Sequence, residues 1–189
     1  MPDLVLKPQS PLGGVEPPCP GIDFVEVTDR DIVSIAMPIG SKETAHKAIM
    51  DAYQIGPPPV GWWGKSPIDN ACFLGTAPEQ HFIVFDRSKV PAVERITHKL
   101  GDTVYVTDQS DSWVMLRIGG PKCRSALERV CSLDLDPRAF PVGKVARTVM
   151  EHLGTIIMSE ENDYFLLLSA RSSADSFCKA IQRSFENIL

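Results

Sequence analysis

Residues 31–53 read DIVSIAMPIGSKETAHKAIMDAY, and the change of hydrophobic period inside them decides the fold class. Ile32, Val33 and Ile35 make residues 31–37 a strand, which Pro38-Ile39-Gly40 ends. From Ser41 the period lengthens: Ala45, Ala48, Ile49 and Ala52 recur at three and four residues and form one apolar helical stripe. Ser41 stands where a side-chain oxygen can accept a bond from a free first-turn N–H, and Gly56-Pro57-Pro58-Pro59 stops the helix.

Working outward, residues 70–76 and 81–85 are expected as a strand pair joined by Ala77-Pro78-Glu79-Gln80, whose proline presets the bend. Val90, Val93, Ile96 and Leu100 keep helical spacing from Ser88 to Gly101, and residues 102–107 are the next strand. The second half repeats this order. Residues 113–118 read as strand, Gly119-Gly120-Pro121 as a turn with Pro121 in the first helical turn, and 122–130 as helix. Strands at 144–150 and 155–158 follow, and residues 164–168 with the helix 173–185 echo 81–85 with 88–100.

Strand, helix, two or three strands, helix, occurring twice, predicts an α+β fold of duplicated split β-α-β units, with helices packed on antiparallel-rich sheets. The expected organisation is an extended arm over 1–21, a first half over 22–108, and a second half over 109–189 packed on the first as one globular unit. Two units of this size gain stability by burying surface against each other. The arm carries Pro2, Pro8, Pro11, Pro17, Pro18 and Pro20 with Gly13, Gly14 and Gly21, too many breakers for a helix or a central strand. Such a segment is expected to order by lying on another surface.

Composition excludes several function classes. With 189 residues and 43% apolar content the chain can bury an ordinary core. Its net charge of -5, with Lys and Arg scattered, argues against nucleic-acid binding. No stretch approaches the ~18 apolar residues of a membrane helix, and the first residues do not read as a signal peptide, so no membrane partner and a cytoplasmic location are expected. Cys19, Cys72, Cys123, Cys131 and Cys178 form no C-x-x-C pair and are expected as reduced, mostly buried thiols. His46, His81, His98 and His152 fall on separate elements without the i, i+4 spacing of a helical zinc site. No G-x-G-x-x-G joins a strand to a helix. Asp134 and Asp136 flank Leu135 before Pro137 and read as turn formers, not an acid–base pair. Neither catalytic, cofactor-binding nor metal-binding residues are expected in this chain.

Residues 117–143, RIGGPKCRSALERVCSLDLDPRAFPVG, carry a more specific signal. A Gly-Pro turn opening a helix (Gly120-Pro121), then Cys131, Leu133-Asp134-Leu135, Pro137 and Phe140-Pro141-Val142-Gly143 resemble the gamma subunit family of the heterotetrameric sarcosine oxidases. Ser10-Pro11-Leu12 resembles the family's opening, and Phe73-Leu74-Gly75 through Phe85 its hairpin. The resemblance implies the folate-binding fold of the aminomethyltransferases and an accessory subunit. The complex would demethylate sarcosine oxidatively to glycine, with tetrahydrofolate taking the one-carbon unit. FAD, FMN, NAD and tetrahydrofolate are then expected in the partner chains, alpha, beta and delta. A related N-methyl amine dehydrogenase, such as N-methylglutamate dehydrogenase, and a free-standing folate-binding one-carbon protein are the alternatives.

Val60-Gly61-Trp62-Trp63-Gly64 departs from the plainer Pro-Gly-rich loop that the resemblance implies. Adjacent bulky rings cannot both face inward on an extended chain. Trp62, Trp63, Pro11 and Leu12 are therefore the expected partner-binding residues.

Overall fold

Phe82 and Val84 face one way, Ile83 and Phe85 the other, and all four are buried, so the sheet that holds them must be covered on both sides. The computed structural model describes residues 9–188, in which ten strands and four α-helices solve this with four layers. The first part of the chain forms β1 (Asp23–Glu26), β2 (Arg30–Ala36), α1 (Lys42–Tyr53), β3 (Trp63–Lys65), β4 (Cys72–Ala77), β5 (Gln80–Asp86), α2 (Ala92–Leu100) and β6 (Tyr105–Asp108). The remainder forms β7 (Trp113–Gly119), α3 (Cys123–Glu128), β8 (Val145–Met150), β9 (Leu153–Ser159), β10 (Phe165–Ala170) and α4 (Ala174–Glu186).

The strands make two five-stranded sheets, in the orders β6-β2-β5-β4-β3 and β1-β7-β10-β9-β8, with every pairing antiparallel. The two orders correspond position by position, which is the duplication expected from the sequence. α1 and α2 cover the outer face of the first sheet through Ala45, Ile49, Tyr53, Ile96 and Leu100. α3 and α4 do the same for the second through Leu127, Phe177, Ile181 and Phe185. The inner faces meet through Ile32, Leu74, Phe82 and Val84 on one side and Met115, Ile156, Met158 and Leu168 on the other.

Several local expectations need correction. Residues 23–26, drawn with the first half, pair with β7 in the second sheet, Asp23 opposite Gly119 and Glu26 opposite Leu116. Among the described residues no strand follows α4, so the place that β6 takes beside β2 is filled beside β7 by β1. β3 lies inside the Pro/Gly-rich segment expected to be loop. α2 begins at Ala92 after Pro91, leaving Val90 46% exposed, because a proline is tolerated only at the opening of a helix. Ser41 precedes α1 without a side-chain capping bond; only its carbonyl accepts, from Ala45 N–H at 3.0 Å. α3 starts at Cys123, which leaves Pro121 in the turn before it.

The described part of the arm, residues 9–21, lies on its own chain. Cys19 is buried, Leu12 and Val15 pack against the core of the second sheet, and Gln182 Nε2 donates to the Glu16 carbonyl at 3.1 Å. Arg171 holds the Gln9 carbonyl at 2.6 Å. The surface that orders this stretch is the chain's own, α4 and the end of β10, whose apolar margin it completes. Pro2 and Pro8 lie outside the described residues.

Candidate functional site

The proline run that ends α1 is anchored to the first sheet. Pro58 and Pro59 lie against β4 at Gly75, where a β-carbon would sit 2.8 Å from the Pro58 carbonyl oxygen and closer still to that of Pro59. Gly75 thus permits a contact of two backbones that no other residue allows. His81 on β5 holds the same segment from beneath, its Nε2 2.9 Å from the Pro58 carbonyl, so that nitrogen carries the proton and donates. Its Nδ1 is buried and has no partner among the described residues. Burial pushes the His81 pKa below the ordinary histidine value, because the charged ring would place a second N–H where nothing accepts it.

From here the chain crosses between the sheets. Gly61 N–H donates to the Gly75 carbonyl (2.8 Å) and Gly75 N–H to that of Trp62 (3.0 Å). Trp63 N–H then donates to Gly143 O (2.8 Å) and Val145 N–H to Gly61 O (3.1 Å), so main-chain bonds join the sheets along the edges formed by β3 and β8. The two indoles part as alternation along an extended chain requires. Trp63 packs against the core between the sheets and its Nε1 donates to Ser159 O at 2.9 Å. Trp62 turns outward and is 38% exposed, with Lys144 Nζ 3.9 Å from its ring centroid. Val60 and Val142 are exposed on the chain to either side of this seam.

The structure places the other two expected partner residues on a different feature. Pro11 lines a cleft of about 820 Å³ with Glu26, Arg30, Arg87 and Arg171, and Leu12 beside it is half-buried against the chain's own core. Ser10 Oγ donates to Glu26, which fixes the start of this stretch.

Asp134 and Asp136 make the local bonds of a turn. Asp134 accepts from the Asp136 N–H at 2.9 Å, and Asp136 accepts from the Arg138 N–H and guanidinium, both at 2.9 Å. That guanidinium holds the Asp136 carboxyl below the usual range. Burial pushes the Cys123 thiol up to about 12 and raises Cys72 and Cys178, which keeps these three protonated near neutrality. All five cysteines are free thiols. Among the described residues no three His, Cys, Asp or Glu side chains converge as metal ligands, and no helix is long and apolar enough to cross a membrane. His46 and Lys42, both on α1, bear on the charge of His81, a proximity that separate helical and strand assignments did not reveal.

Residues 69–186 match the sarcosine oxidase, gamma subunit family. Among solved structures, the heterotetrameric sarcosine oxidase from Corynebacterium sp. U-96, in complex with pyrrole 2-carboxylate, is similar at a TM-score of 0.76 and 20% identity, over 88% of this chain and 84% of that one. The glycine cleavage system aminomethyltransferase T from Bartonella henselae is similar at a TM-score of 0.65 and 11% identity; 85% of this chain is covered, and 45% of that one. At these identities the two structures share the fold. No curated protein sequence matches the chain. The family match does not favour the two alternatives, an N-methylglutamate-type dehydrogenase subunit and a free-standing folate-binding protein. Because it runs from the turn before β4 to the last residue of α4, more than half of the chain, this protein belongs to the sarcosine oxidase gamma subunit family.

Proposed function

We propose that this chain is a structural subunit of a heterotetrameric sarcosine oxidase, one that supports its partner chains while they demethylate sarcosine to glycine with tetrahydrofolate as the one-carbon acceptor. The family match over residues 69–186 carries this reading. The alpha, beta and delta chains are the partners, and FAD, FMN, NAD and tetrahydrofolate belong to them; this chain contributes no catalytic residue. Five free thiols suit a reducing compartment, the cytoplasm. The contact surface includes Trp62 and Pro11, each backed by a more deeply packed neighbour, Trp63 and Leu12. Indoles are enriched among the side chains that anchor protein interfaces.

Co-expression with the partner chains tests this. The isolated chain should be colourless and produce no sarcosine-dependent peroxide, and leaving it out should lower the yield of assembled oxidase. Stoichiometric flavin on the isolated chain, or turnover without partners, would overturn the structural role.

A further inference from the structure

Pro57, Pro58, Pro59 and Pro78, with Met37 and Val60, enclose a groove of about 370 Å³ on the outer surface beside the seam. This volume is within the ~300–1,000 Å³ typical of pockets that receive an organic group. Its walls are mainly carbon, and its backbone is held from behind by the His81 bond to Pro58 and the close approach at Gly75. A surface already fixed in its bound shape loses little conformational freedom when something docks.

The surroundings say what kind of occupant fits. Ile39, on the turn between the lining residues Met37 and Lys42, is 98% exposed, and Trp62, two residues beyond the lining Val60, donates its main-chain N–H to Pro59 O at 3.0 Å. Exposed apolar groups around an apolar groove are the kind of surface that marks a partner site. Lys42 lines the groove, Lys144 lies over Trp62, and neither makes an ion pair among the described residues. Glu79 is the one carboxylate among the lining residues. A second copy of the chain docked face to face would bring the same excess of lysine to the contact, since a two-fold contact repeats the same patch on both sides.

We infer that the proline groove receives a large apolar side chain from an acidic segment of a partner chain of the oxidase, with carboxylates of that segment meeting Lys42 and Lys144. The inference rests on the subunit reading above and adds the anchor of its interface. The test is a pull-down of the co-expressed complex through a tag on this chain, comparing wild type with Ile39→Glu/Lys42→Glu and with the control Tyr105→Glu, an exposed site on β6. The double variant should recover at least tenfold less partner, the control as much as wild type, and all three isolated chains should melt within about 1 °C of each other. Undiminished recovery with the double variant overturns the groove assignment alone. So does equal loss in the control, or light scattering that shows a wild-type dimer which the double variant breaks. Failure of the wild-type chain to enter the complex overturns the subunit reading, and the groove assignment with it.

Discussion

Gly75→Ala isolates the contact on which the candidate site is built. The substitution adds one methyl group, but the atoms it meets are the Pro58 and Pro59 carbonyls, the first at 2.8 Å and the second nearer. These are backbone atoms of a segment pinned by His81 and by the bonds around Trp62, so they cannot rotate away as a flexible side chain would. Overpacking of this kind costs ~1–3 kcal/mol, and the rigidity of both partners puts Gly75→Ala near ~3 kcal/mol. In a protein of this size ~1 kcal/mol shifts the melting temperature by ~2–4 °C, so a fall of ~6–12 °C is expected in thermal unfolding followed by circular dichroism. Gly154→Ala on β9 is the matched control, since a β-carbon there meets nothing within 4 Å and the backbone is not in the left-handed region. Its melting temperature should equal or exceed that of wild type. If Gly75→Ala melts within 2 °C of wild type, the proline segment yields easily and the rigid-groove reasoning is wrong.

Three further outcomes are expected. Phe140 is buried in the core of the second sheet, and Phe140→Ala should lower stability in urea by ~3 kcal/mol or more; a change under ~0.5 kcal/mol would detach residues 134–143 from the core. Trp63→Ala should cost a similar amount because it opens the space between the sheets, whereas Trp62→Ala should leave the melting temperature nearly unchanged and weaken recovery of partner chains; the reverse pattern would exchange their roles. His81 is held neutral by burial with its folded pKa below the unfolded value of ~6.5, so its contribution is intact above that pH. Stability should fall as pH drops from ~6.5 through the lowered folded pKa, and His81→Asn should flatten that part of the curve; an unchanged slope in the variant would assign the pH dependence elsewhere.

The parts of the fold that were legible in the sequence are those set by local period. The switch from Ile32-Val33-Ile35 to Ala45-Ala48-Ile49 located β2 and α1, and the same switch located β7 and α3 and showed the duplication. The division of labour between Trp62 and Trp63 was partly legible too, since alternation on an extended chain forbids both rings from facing inward. The layer between the sheets could have been found from Phe82-Ile83-Val84-Phe85, a run apolar on both faces, which a sheet with helices on one side alone would leave half exposed. Gly75 and His81 gave no such signal. A glycine in a strand and a lone histidine look alike whether or not a proline segment lies on them, and only the tertiary path of Pro57–Pro59 distinguishes the cases.

β1 and β3 were hidden for a different reason, and it bears on how the candidate surface works. Four residues of β1 pair with a strand about 90 positions later, and three residues of β3 are held by β4 together with Gly143, so the energy that makes them strands comes from partners distant in sequence and not from their own composition. β1 completes the second sheet as β6 completes the first, while at the opposite ends of the two orders β3 and β8 are joined by main-chain bonds. The Trp62 surface therefore stands where both halves of the duplication are tied together. Its shape depends on Gly75 and His81 from one sheet and on Gly143, Lys144 and Ser159 from the other. A partner docked on this seam would contact both halves at once, and its binding energy would oppose their separation.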